Sequence, residues 1–391
     1  MRILKTLLKI ITSLAVLGLI GFFMFAPKIV EKGRNAVAPH DPYPISQAAQ
    51  ALHNSLLIGD WHADSAWWNR DLTERADYGH VDIPRLQEGN VGLQVFTSVT
   101  KTPKGMNYEH NDPNAFDNIT LLTFGQLWPM RTWFSLYERA EYMSVRMHRF
   151  ERDAPDDLKI IRTATDLDAV LAARIEGQNL VGAILGLEGA HPLEGDIENL
   201  DRLWDSGYRV IALQHFFDNE LGGTLHSSAE LGLSNFGRQV VVDVENRGMV
   251  LDVAHSSQQV VRDVLSMTDM PIIVSHTGLN SHCPTRRNLP DDMMRDIAAT
   301  GGVIGIGFWA NVICDDSPDG VAAAIKAAIA AVGEDHVSLG SDFDGSVKTA
   351  FDSSEMAAVT DALLRAGVGE AQITKVMGAN MVRVLRARLR D

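Results

Sequence analysis

Six places along the chain end an apolar run in side chains that can bind a metal or move a proton. Asp60-Trp61-His62-Ala63-Asp64 ends the first run, Glu188 the third, His215 the fourth, Asp252 and His255 the fifth, His276 the sixth, and Asp342 with Asp344 the eighth. Imidazole and carboxylate are the ligand types of Zn²⁺, and the alternation in His62-Ala63-Asp64 turns both ligand-type side chains to one face of an extended strand. Taken singly, each has a plainer use. A lone histidine after an apolar run is more commonly structural, Glu188 suits a helix cap, and Asp342 and Asp344 before Gly345 suit a turn. Taken together they call for one explanation, because independent accidents would have to leave a potential ligand at the same end of successive strands.

The elements that must position them are legible as apolar runs alternating with stretches of helical period. Eight strands are expected: Leu56–His62, Val91–Thr97, Leu180–Leu187, Arg209–Gln214, Met249–Ala254, Ile272–Ser275, Val303–Phe308 and Val337–Gly340. Most are continuous apolar runs rather than in–out alternations, as strands buried on both faces require. Helices are expected between them, at Ile197–Ser206, Glu230–Arg247, Ser257–Met267, Asp291–Ala299 and Ala322–Val332, several stopping at a glycine (Gly207, Gly248, Gly301) that can cap them left-handed. Ser353–Ala366 and Glu370–Arg388 read as closing helices. The pattern predicts a (β/α)₈ TIM-like barrel, whose chemistry sits at the C-terminal ends of its strands, where the polar residues above fall. One long connection, about 100–161, holds an Asn/Pro-rich loop and then aromatic helical sequence; a lid or substrate wall is one use for it, extra packing on the barrel another.

The N-terminus departs from the globular composition of the rest. Arg2, Lys5 and Lys9 precede a charge-free run from Ile10 to Pro27, long enough to cross a bilayer as a helix. Residues 1–38 are therefore read as a membrane anchor or signal segment with its linker, and 39–391 as one barrel domain. An uncleaved anchor with an exported catalytic part is the expectation, since the small-residue pattern Ala36-Val37-Ala38 lies far past the apolar run. With residues 1–34 set aside, 29 basic residues face 49 acidic ones, a formal charge of −20 that repels phosphate backbones. Nucleic acid is excluded as a partner on that ground. Arg383, Arg386, Arg388 and Arg390 read as the solvated side of a last helix. Cys283 and Cys314 either pair or stay free and buried.

The motifs resemble the membrane dipeptidase (renal dipeptidase) family of zinc-dependent peptidases. The first-strand His-x-Asp, Leu187-Glu188-Gly189, Val253-Ala254-His255-Ser256, Val274-Ser275-His276-Thr277, Arg286-Arg287-Asn288-Leu289-Pro290-Asp291-Asp292 and Gly340-Ser341-Asp342-Phe343-Asp344-Gly345 occur in that family's order and approximate spacing, from about residue 55 to 388. The resemblance implies two Zn²⁺ per subunit, with His62 and Asp64 on one, His255 and His276 on the other, and Glu188 bridging. It further implies that His215 faces the scissile carbonyl oxygen, Arg287 the substrate carboxylate, and Asp342 the acid/base position. Where the family has Gly before the histidine and Asn between the two ligands, this chain has Trp61 and Ala63; with Trp67 and Trp68 close behind, the change bears on the substrate pocket or, for Trp61, on core packing.

The implied reaction is dipeptide hydrolysis, a metal-bound hydroxide attacking the peptide carbonyl. Two rivals stand beside it: another amidohydrolase-like reaction on a lactam, lactone or N-acyl amino acid, and a non-catalytic binding barrel. A small dipeptide and the membrane are the expected partners, and pairing into a homodimer is left open.

Overall fold

The computed structural model describes residues 2–391. Its centre is a ring of parallel strands: β1 (Ile58–Ala63), β2 (Val91–Val99), β4 (Val181–Glu188), β5 (Tyr208–Ala212), β6 (Val250–Asp252), β7 (Ile272–Thr277), β8 (Val303–Ile306) and β9 (Val337–Leu339). Neighbours pair in the order β2-β1-β9-β8-β7-β6-β5-β4, and β2 pairs with β4 from Leu93↔Gly182 to Val99↔Glu188, so eight strands close on themselves. This is the expected TIM-like barrel. All eight expected strands are present within a few residues of their expected bounds. A ninth, β3 (Leu158–Ile160), pairs with the first residues of β4 outside the ring; three residues ending the long connection carry too short a pattern to be read as a strand.

The ring's residues are almost all buried, which is why they are apolar along their whole length. The helices between strands start where a side chain can accept the free N–H groups of the first turn, as Ser234 does for Asn235–Arg247 and Ser257 for Gln258–Leu265. The helix Asn235–Arg247 ends at Gly248 with φ 70°, a left-handed cap that a side chain would strain. At the N-terminal ends of the strands the last helix, Asn380–Arg388, brings Met381, Val384 and Leu385 into one apolar cluster with Trp61, Leu93, Val95, Ile184 and Val210. Trp61 is thus core.

One expectation about that last helix is corrected. Arg388 is not on a solvated side: it is buried, and its guanidinium donates to the carbonyls of Met249 and Glu245, acceptors that strand ends and helix ends leave free. Cys283 and Cys314 are paired, with 5.5 Å between their Cα atoms, so the alternative of free thiols is set aside.

The long connection after β2 forms α2 (Asn118–Gly125), a single turn at Met130–Trp133, and α3 (Leu136–Asp153) before β3. Preceding the barrel, α1 (Arg2–Arg34) is long and apolar enough to cross a membrane, and almost all of its side chains are exposed. Its last turns dock. Glu31 is buried against Arg70, Arg70 Nη2 lies 2.5 Å from Asp344 Oδ2, and Asn35 Oδ1 accepts the backbone N–H of Ser346 at 2.9 Å.

Candidate metal centre

Five side chains meet at the C-terminal mouth of the barrel. His62 is the penultimate residue of β1, and Asp64 follows the strand, its N–H held by the Phe343 carbonyl at 2.8 Å. Glu188 ends β4, His276 lies near the end of β7, and His255 follows β6. Glu188 Oε1 is 3.1 Å from His255 Nε2, 3.3 Å from His276 Nε2 and 3.6 Å from His62 Nε2, and all are buried. His62 Nε2 is also 3.6 Å from Asp64 Oδ1 and 3.8 Å from Asp342 Oδ1. The closest groupings of donor atoms are His62–Asp64–Glu188, Glu188–His215–His255 and His62–His276–Asp342. His215 and Asp342 therefore share the cluster with the five expected ligands.

The donor set fits metal. His255 and His276 present their Nε2 atoms 3.0 Å apart, close to the spacing of two nitrogens on one tetrahedral ion with bonds of about 2.0–2.1 Å. The tautomer of His255 follows from its neighbours. His226 Nδ1 faces the Tyr108 carbonyl at 2.9 Å and must carry the proton; its Nε2 then accepts from His255 Nδ1 at 2.8 Å. His255 Nε2 is left with its lone pair turned to Glu188, the form a metal needs. The Thr97 hydroxyl lies 2.5 Å from Asp64 Oδ1, and the Ser275 hydroxyl 2.8 Å from His276 Nδ1, so two more of the expected ligands are oriented from behind.

The electrostatics agree. Burial drives His255, His276 and His215 well below the ordinary imidazole range, helped by neighbouring positive charge, so they stay neutral. Burial alone would lower His62 too, but Glu188, Asp64 and Asp342 around it hold it up at about 10. Burial, reinforced by Asp64, pushes Asp342 up to about 8 and Glu188 well above the carboxylate range. Carboxylates crowded in low dielectric take up protons unless a cation replaces them.

Two of these residues hold left-handed backbone: φ is 63° at His255 and 60° at Asp342, a strain of roughly 1–3 kcal/mol each for non-glycine residues. At His255 the surrounding bonds fix it, since its carbonyl accepts from Leu225 N at 2.7 Å and the Thr224 hydroxyl at 3.0 Å. At Asp342 the turn closes on Gly345, where a Cβ would fall 2.1 Å from Asp342 Oδ1. A side chain there would push the Asp342 carboxylate out of its place.

A cavity of about 480 Å³ opens over the cluster, lined by Asp64, Glu188, His215, His255, Arg287 and Asp342 together with Trp67, Trp68, Tyr108 and Trp309. Arg287 is fully buried; its Nη2 donates to the His276 carbonyl at 2.8 Å and its Nε has no partner, a donor in reserve. Arg286 turns away and donates to the carbonyls of Leu225 and Ser227. His215 Nδ1 is 3.4 Å from the Lys101 carbonyl, too long to fix its tautomer, so Nε2 can carry the proton and donate into the cavity.

Two other strand-end carboxylates are structural. Asp252 accepts the N–H groups of Ala254 and Ser275, and Asp344 accepts from Arg70, the Ser65 hydroxyl and His80 N. Reasoning from the sequence missed His226, Tyr108 and Thr97. His226 and Tyr108 lie on loops without apolar period and so carry no strand-end signal; Thr97 ends the second apolar run but is not an ionisable type.

The family described as membrane dipeptidase, peptidase family M19, matches residues 46–390 of this chain. Among curated proteins it is similar to dipeptidase aclJ of Aspergillus oryzae, 27% identical over 88% of this chain and 83% of that protein. An uncharacterized dipeptidase of Schizosaccharomyces pombe is 26% identical over 91% and 81%. Among solved structures, a metallopeptidase of Rhodobacter sphaeroides, liganded with a phosphinate mimic of the dipeptide L-Ala-D-Ala, shares the fold with a TM-score of 0.71 at 22% identity, covering 85% of this chain and 99% of that one.

Proposed function

We propose that this chain, which belongs to the membrane dipeptidase family and hydrolyses dipeptides with bound metal, holds two zinc ions per subunit: His62 and Asp64 on one, His255 and His276 on the other, Glu188 between them. The observation that carries this reading is Glu188 Oε1, which lies within 3.6 Å of all three histidine Nε2 atoms and so can serve both sides. Two such ions would polarise the scissile carbonyl and lower the pKa of water enough to supply a nucleophile at neutral pH.

The chain's own groups do the rest. His215, neutral and aimed into the cavity, donates to the oxygen on which negative charge develops. Asp342, which lines the cavity 3.8 Å from His62, holds the substrate's amino group and carries a proton from the attacking water to the departing amine. Arg287, with Nε unpartnered, takes the substrate's free carboxylate, which sets a free dipeptide apart from a lactam or lactone.

Residues 1–38 anchor the protein and 39–391 form its catalytic barrel on the exported side. The Cys283–Cys314 pair supports that side, since disulfides persist in oxidising compartments. The Rhodobacter protein's L-Ala-D-Ala mimic makes L,D dipeptides worth testing beside L,L ones. The deciding experiment assays both series, free and blocked at each end, with and without zinc. Hydrolysis only of free dipeptides and only with metal is expected; metal-independent turnover would overturn the reading.

A further inference from the structure

The cavity has a wall that dipeptide chemistry does not explain. Beside the polar groups it is lined by Phe22, Ala26, Pro27 and Val30 of α1 and by Leu121 and Leu122 of α2, so the N-terminal helix itself borders the substrate space. The two helices touch: the rings of Phe23 and Phe124 are 5.5 Å apart. From Ile119 to Phe134 the chain carries one charge, Arg131, yet while Ile119 and Trp128 face the core, other large apolar side chains face outward. Leu121 is 60% exposed, Leu127 64%, Met130 68% and Phe134 85%. A contiguous apolar face of this kind marks a partner or a membrane.

Continuity with α1 decides which. The charge-free run of α1 ends at Pro27, and Phe23 lies four residues inside it, about 6 Å at 1.5 Å per residue. Whatever touches Phe23 from the side sits at that depth, within the roughly 5–10 Å at which interfacial apolar faces are buried. Arg131, half exposed and paired with Glu138 at 2.7 Å, can turn its charge out of such a layer. On the domain side Lys28 and Lys32 reach Asp77 at 3.3 and 3.6 Å, fixing the helix against the barrel just past the apolar run.

We infer that the exposed apolar face of 119–134 lies in the surface of the lipid bilayer that α1 crosses, with the mouth of the catalytic cavity held against that surface. This rests on the reading of α1 as a membrane span, and the test separates the two. Full-length protein is placed in vesicles of phosphatidylcholine with phosphatidylglycerol, carrying one polarity-sensitive thiol label at Met130→Cys or Phe134→Cys. Leu17→Cys in α1 reports the anchor; Ile175→Cys, 87% exposed just before the start of β4 at the opposite end of the barrel, reports water. The native cysteines are paired and do not compete for label. Dipeptidase turnover in detergent checks that each variant is folded.

Lipids bearing a quencher near the headgroup are expected to quench labels at 130 and 134 several-fold more than the label at 175, while a quencher deep in the acyl chains acts most on position 17. Quenching at 17 with none at 130 and 134 overturns the inference and leaves the anchor standing. No quenching at 17 removes the anchor and the inference with it. Energy transfer between copies labelled at 134 that persists on dilution with unlabelled lipid would assign the face to a second copy of this chain and also overturn it.

Discussion

His226 Nε2 stands 2.8 Å from His255 Nδ1, and the Tyr108 carbonyl behind it fixes which nitrogen of each ring carries a proton. Burial holds His226 down at about 3, so the relay stays neutral at any working pH. His226→Ala is expected to lower metal affinity or turnover about 10–100-fold, the usual effect of removing a group that orients a ligand. Metal titration and kcat/KM of the variant, beside those of the surface variant His282→Ala, would check it; unchanged affinity would deny the relay a role.

Glu188→Gln should cost more metal than His62→Ala, because one loses the carboxylate shared by both sides and the other a single terminal ligand. Metal content per chain and residual turnover are the measurements. Full activity in either variant rules out the two-ion site.

Asp342 and Asp344 are two residues apart and do different work. Asp342→Asn should lose about 10²–10⁴-fold in kcat with unfolding little changed, as for removal of a general acid. Asp344→Asn leaves the buried Arg70 with Glu31 as its one carboxylate partner beside the Val81 carbonyl and should destabilise by up to about 3 kcal/mol, lowering the thermal midpoint while folded protein still turns over. Reversed phenotypes would mean the wrong aspartate faces the substrate.

Metal should stabilise this protein more as the pH rises toward 8. Without metal, Asp342 is raised from 3.8 to about 8 in the fold, so its proton stabilises the native state fully below about 4 and that contribution is lost as pH climbs through 8. A cation that replaces this proton gains apparent affinity up to about tenfold per pH unit below 8. Thermal midpoints of chelated and zinc-loaded protein from pH 6 to 8.5 would show the gap widening; a constant gap contradicts it.

Arg287→Ala should cost a free dipeptide about one to two decades in kcat/KM and its C-terminal amide much less, a charge-assisted pair being worth roughly 1.5–3 kcal/mol. Arg286→Ala, whose guanidinium serves the Leu225 and Ser227 carbonyls, should not discriminate between the two substrates. Selective loss in Arg286→Ala alone would exchange their roles.

The barrel was legible because β4 or β8 buries both faces, leaving an unbroken apolar run in the sequence. Most of the ionisable residues that come together at its mouth were legible for the same reason, since they end or directly follow such runs; Arg287, in a loop, was legible only through the family resemblance. Three things were not. Asp342 and Asp344 look alike as residues, so only the family resemblance singled out Asp342, and it is the left-handed turn carrying them that sends one into the cavity and the other to Arg70. His226 reaches His255 from a loop whose path no periodicity encodes. Arg388 reads as solvated until the carbonyls of Met249 and Glu245 are seen to need donors.

The seam between β2 and β4 joins seven successive residue pairs, from Leu93↔Gly182 to Val99↔Glu188, although the chain between the two strands runs through α2, α3 and β3. Hydrogen bonding across that seam is indifferent to how long the excursion is, and doubling such a loop costs only about 0.6 kcal/mol in closure entropy. An engineer could recast the outward side chains Leu127, Met130 and Phe134 as polar ones, keeping Ile119 and Trp128 in the core, and change what the enzyme rests on while the ladder that carries Glu188 stays as it is.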